Sequence, residues 1–262
     1  MFVEIPLVQR YPRLGLKFLP HDSRKMQRRL MLAKYLPRDL APPPAAVNWT
    51  GKVKKWPMYL NDQLGDCAIA GPYHQIECWT ANVHGTPLIA DDQYVCNDYA
   101  AVSGFNGDPN TDNGCNLIDV QNYWRQTGLY GGTDKILGYA AVEPANTVHL
   151  KQGVQIFGSL NTGIVCTDQM MEVNSAGRVW DIGNSGDPQN GGGHCVPIVA
   201  YDASTITVVT WGGLQKATWA WWQAFGREAY AIIAKDWVSS GMAPCGFDLA
   251  TLQADLAEVT GE

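Results

Sequence analysis

Among the seven cysteines and five histidines of this chain, one of each stands where local structure would activate it. Cys67 follows the turn Asn61-Asp62-Gln63-Leu64-Gly65 and opens the run DCAIAGPYHQIECWTANVHG, whose apolar positions recur at threes and fours. A cysteine at a helix N-terminus faces unpaired backbone N–H groups and the positive end of the helix dipole. Both favour the thiolate and lower the thiol pKa from about 8.5. The same N–H groups can stabilise an oxyanion. Such a nucleophile needs a base to take its proton, and the base is brought to it by the fold rather than by sequence adjacency. His194 is the best placed, at the junction of a glycine-rich loop and an apolar strand. His21 lies in an N-terminal arm, His84 at a helix end and His149 at a helix start, while His74 is seven residues along the Cys67 helix and too far up its axis. Asp66 opposes a thiolate by like charge but is in position to cap the helix.

The remaining reactive side chains point to no cofactor. The cysteines at 67, 78, 96, 115, 166, 195 and 245 include no close pair of the kind that builds a structural zinc corner. Their odd number leaves at least one free or paired between chains. Cys195 alternates to the opposite face of its strand from His194 and is expected to be buried. Asp181, Asn184 and Asp187 lack a regular calcium-loop spacing, and Gly191 to Gly193 lacks the Lys and Ser/Thr of a phosphate-binding loop. The aromatic group Trp219, Trp221, Trp222 and Phe225 reads as core.

These residues must be positioned by the elements around them. Residues 1–45 form an N-terminal extension, an arm or a segment like a pro-region: a helix over Ser23–Tyr35, then the polyproline stretch Ala41 to Ala46. The main domain spans 46–262, with a helical lobe over about 46–134 and a β-rich lobe over about 135–262. In the first, helices are expected from Asp66 to Gly85, Asp91 to Ser103 and Leu117 to Gly128. The second has strands at Ile136–Val142, Gly163–Thr167, His194–Tyr201, Ile206–Trp211 and Ala229–Ala234, and a helix at Thr147–Leu160. Helices first and strands later make an α+β protein.

Composition limits the partners. The 262 residues carry a net charge of −6 and a pI near 5.3, which argues against nucleic acid. No apolar run reaches the roughly 18 residues of a membrane span, so no membrane partner is expected. The first residues, MFVEIPLVQRYPRLG, have no apolar signal core, and the expected location is cytoplasmic.

Several segments, taken in order, resemble the papain-like cysteine peptidase family. VNWTGKVKKWPMYLNDQLGDCAIAG is similar to the start of a mature papain-like domain, and DNGCNLIDVQNYWRQTGL to its Asn-x-Gly-Cys segment. Gly163-Ile-Val, GGGHCVPIVAYD and VVTWGG resemble the strands that follow, over roughly residues 46 to 235. The resemblance implies a two-lobed fold with Cys67 as nucleophile and His194 as general base and acid. It implies an oxyanion amide from Gln63 or Asn61, since Gln63 stands four residues before the cysteine and Asn61 holds the family's usual offset of six. The family's orienting Asn is absent. Thr210 would take its place if the strand is shorter by one residue, with Trp211 as the shield. Gly65, Asp66 and Gly193 would border the substrate cleft with Asn61 and Trp211.

Two functions follow from the resemblance. One is a peptidase or related amide hydrolase that forms an acyl-enzyme on a peptide or protein substrate; acyl transfer would use the same pair. The other is a catalytically weak or inactive papain-like protein with a structural or binding role, as in the similar small proteins of tailed phages and bacteria. In that reading the arm contacts a virion or assembly partner, and the protein is virion-associated.

Overall fold

In the computed structural model, which describes residues 3–5, 11–240 and 247–261, the arm runs without regular structure from Tyr11 to Pro20. It then forms a short helix, α1 (Arg24–Gln27), whose cap Ser23 accepts a hydrogen bond from Met26 N–H. The continuous helix expected over Ser23–Tyr35 is broken, with only a 3-10 turn at Leu32–Lys34 beyond α1. Tertiary pairing overrides local propensity there: Leu30 C=O accepts from Ala141 N–H at 2.7 Å, and Met31 forms a bridge to the same residue.

The body begins with β1 (Val47–Asn48) and the long helix α2 (Cys67–His84). Helices α3 (Asp92–Ser103) and α4 (Leu117–Gln126) complete the helical lobe. There follow β2 (Ile136–Val142), α5 (Thr147–Phe157), β3 (Leu160–Cys166), α6 (Asp168–Ser175) and β4 (Gly192–Tyr201). Then come β5 (Thr205–Thr210), β6 (Gly213–Thr218), α7 (Trp219–Phe225), β7 (Gly226–Ala234), α8 (Lys235–Ser239) and α9 (Leu249–Thr260). The strands form an antiparallel sheet in the order β2-β7-β3-β4-β5-β6, with β1 paired to the far end of β4. The chain is therefore α+β, helices first and sheet second, as its patterning predicts.

Differences from the sequence reading have local causes. Helix α5 stops at Phe157 because Gly158 takes a left-handed conformation (φ 75°), and Leu160 already belongs to β3. The strand expected to reach Trp211 ends at Thr210. Trp211 and Gly212 both have positive φ, 45° and 73°, and form the two-residue turn into β6, which the sequence reading did not anticipate.

Helix α2 is buried along most of its length and lies against β4. The approach is close at Gly71, where a Cβ atom would sit 2.8 Å from Cys195 Sγ. That sulfur is itself held, bonded to Asn161 Oδ1 at 3.1 Å. Gly71→Ala is therefore expected to cost about 1–3 kcal/mol by overpacking. Equilibrium denaturation of Gly71→Ala alone and with Cys195→Ala tests this, since removing the sulfur should restore part of the loss. Equal stability of Gly71→Ala and the parent would show that the helix has room to shift.

Candidate active site

Cys67 is the first residue of α2, and its helix axis aims the unpaired N–H groups of the first turn past the side chain. Asp66 occupies the cap position without a side-chain capping bond. Its fully buried carboxylate instead accepts from Asn61 Nδ2 at 3.1 Å and leaves Oδ2 without a partner. Burial holds that carboxyl well above the usual carboxylate range.

His194 stands on β4 and reaches Thr210 on the neighbouring β5, with Nε2 and Oγ1 2.7 Å apart. When Nε2–H donates to the hydroxyl, the lone pair lies on Nδ1, which has no other partner and is free to act as a base. Trp211 stacks on the imidazole, ring centroids 4.6 Å apart and planes at 17°. The positive φ of Trp211 is the strained conformation that turns the indole onto the histidine. Cys67, His194, Thr210, Trp211 and Asn61 line one small cavity of about 10 Å³, the size of a single water. His74, which sequence distance set aside, lines it too, because the helix carries it past β4 toward the same space.

The Cys67 thiol is enclosed. Cys67 Sγ accepts from the backbone N–H of Cys195 at 3.4 Å. Burial pushes the thiol up to about 12, and the Asp66 charge adds to this; backbone groups of Cys195, Gly15 and Ala68 pull it the other way. Burial lowers the imidazole to about 3. In this state the pair is a neutral thiol and a neutral imidazole.

The arm runs through the cleft and adds to that burial. Tyr11 and Arg13 N–H donate to the carbonyls of Asp62 and Asn61, both at 2.9 Å. Leu16 N–H donates to Gly193 C=O on one side, while Lys17 N–H and Gly15 C=O bond to Cys115 on the other, all at 3.0 Å. Trp211 Nε1 donates to Arg13 C=O at 3.4 Å. Glycines make the passage fit: a Cβ on Gly15 would be 1.7 Å from Gly65 O, and one on Gly193 would be 2.1 Å from Leu16 O. Gly65 is fixed in turn by its N–H bonds to the Asp112 carboxylate, both 3.0 Å.

Of the two amides considered for an oxyanion site, Asn61 borders the cavity but donates to Leu64 C=O and Asp66. Gln63 Nε2 lies 3.5 Å from Asp62 Oδ1. Asp181 and Asp187 spend their carboxylates on turn N–H groups and Thr218. Among the described residues no three His, Cys, Asp or Glu side chains converge as metal ligands, and no helix is long and apolar enough to cross a membrane. Six cysteines are free and buried, and Cys245 lies outside the described residues. Sequence reasoning allowed for a pro-region-like arm but did not single out Gly15 as its contact with Cys67; the signal present was the Leu14-Gly15-Leu16 step in an otherwise bulky stretch.

Two outcomes test the electrostatics. Asp66→Asn should lower the pH midpoint of Cys67 alkylation by iodoacetamide, because a neighbouring negative charge is removed while the Asn61 bond can persist; an unchanged midpoint would assign the raised pKa to burial alone. Thr210→Val should erase the preference for the Nε2–H tautomer in the ¹⁵N spectrum of His194, and Thr210→Ser should retain it.

No family model matches the chain, and no curated protein matches it in sequence. Solved structures do match in fold. Xylellain, a cysteine protease from Xylella fastidiosa, superposes with a TM-score of 0.62 at 14% identity, over 87% of this chain and 99% of that one. Digestive procathepsin L 3 of the Tenebrio molitor larval midgut gives 0.56 at 13%, over 86% and 83%. The Carica candamarcensis cysteine protease CMS1MS2, solved with E-64, gives 0.53 at 13%, over 73% and 99%. The chain thus has the papain-like fold, which is the fold its sequence motifs led one to expect.

Proposed function

We propose that this protein is a latent cysteine peptidase or related amide hydrolase, acting on a peptide or protein substrate through Cys67 and His194. The observation that carries the reading is the meeting of three parts: a cysteine on a helix N-terminus, a histidine held by Thr210 and Trp211, and an arm of the chain hydrogen-bonded along the cleft beside them. In the open state His194 Nδ1 takes the Cys67 proton and the thiolate attacks the substrate carbonyl. The oxyanion is received by helix N–H groups, with Asn61 as the amide nearest the cavity. The imidazolium returns its proton to the leaving amine, and water hydrolyses the acyl-enzyme. Thr210 is the positioning residue for the imidazole, in the role that the family gives to Asn.

Residues 11–18 act in this reading as the inhibitor. A structural use of the fold, with the arm as contact element in a virion or other assembly, is the alternative. The arm spends its backbone hydrogen bonds inside the cleft of its own chain, which favours inhibition over outward contact.

Gly15→Val tests the proposal, because any side chain there collides with the Gly65 carbonyl and should displace the arm. Labelling by E-64, read by peptide mass spectrometry, is expected to be slow on the parent chain and at least about ten-fold faster on Gly15→Val. It should be confined to Cys67 and collapse when His194→Ala is added. If Cys67 in Gly15→Val reacts no faster than the other cysteines, the catalytic reading fails and the structural one stands.

Acid should loosen the arm through His194. Its folded pKa lies below the unfolded value near 6.5, so the covered state gains stability above that value and loses it as pH falls toward about 3. The raised Asp66 carboxyl works in the opposite direction. Hydrogen exchange of residues 11–18, corrected for its intrinsic pH dependence, should show weaker protection at pH 5 than at pH 7. The difference should shrink in His194→Gln.

A further inference from the structure

A second cavity, of about 690 Å³, lies away from Cys67, where α1 of the arm faces α4, β2 and the end of α9. Its volume is that of a small-molecule site. Its two sides differ in chemistry. The arm contributes Arg24, Lys25, Arg28 and Arg29, while the body contributes an apolar floor that includes Ile118, Tyr139 and Leu256. Lys25 is paired with Asp119, and Arg29 donates through Nε to Met26 C=O at 3.0 Å. Arg24 and Arg28 make no side-chain hydrogen bond or ion pair within the described residues. Four positions apart, they lie on one face of α1 and its cap. One carboxylate, Glu258, also lines the cavity. In a chain of net charge −6, this is a local reversal of sign over an apolar surface.

We propose that this cavity binds an amphipathic organic anion: a phosphate-type head group held by the guanidinium groups of Arg24 and Arg28, and an apolar body resting on Ile118, Tyr139 and Leu256. Planar guanidinium groups match the oxygens of such a head group, and the two unpaired ones need no existing bond broken. Because the cations belong to the arm and the floor to the body, a bound anion ties the two together. It would hold residues 11–18 in the cleft, a consequence that rests on the latent-enzyme reading. The binding itself does not.

Titration calorimetry on the full chain tests the site with octyl phosphate, inorganic phosphate and octanol as probes. Octyl phosphate is expected to bind with a Kd below about 1 mM. Binding should be at least about ten-fold weaker in Arg24→Glu/Arg28→Glu and intermediate in Arg28→Gln. The unliganded melting temperature of each variant, which alters no structural contact, should stay close to the parent value. Equal affinity for inorganic phosphate would overturn the apolar half of the assignment, and equal affinity for octanol the anionic half. Undiminished binding to the double variant, or no heat with octyl phosphate, would overturn the site. Protection of residues 11–18 from hydrogen exchange should rise with bound octyl phosphate. This readout needs no reaction at Cys67, so failure here and failure of the catalytic reading are distinguishable.

Discussion

The contact between α2 and β4 is the interaction on which the rest of the site depends. Gly71 lets the helix settle against Cys195, and that closeness brings the Cys195 N–H to within hydrogen-bond distance of Cys67 Sγ. His194 is the neighbouring residue on the same strand, so one packing decision brings Cys67 and His194 to line the same single-water cavity. The antiparallel pairing of β4 with β5 then supplies Thr210, and the turn after β5 supplies Trp211. A lost methylene or an added one at this contact would be felt at all four side chains, because interiors close-packed to this degree do not deform independently.

The same packing sets the protonation state. A thiol and an imidazole removed from water are held neutral, since each would otherwise carry an unscreened charge in a low-dielectric interior. Their desolvation is completed by the arm, whose Gly15 backbone reaches Cys67 and whose Leu16 and Phe18 crowd Gly193. The arm is also fastened farther along its course. Beyond the cleft, Leu30 and Met31 pair with Ala141, and Lys34 and Tyr35 both bond to Asp255 of α9, at 2.5 and 2.7 Å. Exposed ion pairs of this kind add little individually. The backbone bonds inside the cleft fix the register of the arm and carry more of the specificity. The arm's position thus bears directly on how much water reaches Cys67 and His194.

Much of the architecture was legible along the chain. The 3.6-residue period of α2, its glycine stop at Gly85, and the apolar runs of β2, β4 and β7 are local signals, and they gave elements within a few residues of those observed. The arm helix failed because its second half is recruited to pair with β2, a non-local gain that propensity does not contain. The turn at Trp211-Gly212 was hidden by the lack of the usual Asn-Gly or Asp-Gly signature; a bulky residue with positive φ is tolerated there because stacking on His194 and the bond to Arg13 offset its strain. Helices α6 and α7 are short, below the length at which periodicity can be distinguished from chance.

By itself the sequence determined that a cysteine would open a helix and that a histidine would begin a strand after a glycine-rich loop. It also determined the α+β order around them, because backbone propensity and apolar spacing act over a few residues. Only the tertiary structure decided that Thr210 stands against the imidazole, that Asn61 rather than Gln63 borders the cavity, and that Gly15 lies on Cys67. These meetings join Thr210 to His194, Asn61 to both, and Gly15 to Cys67, residues set well apart along the chain. Their geometry is set by sheet register and close packing, and their electrostatics by how much water that packing leaves, neither of which any local stretch of residues specifies.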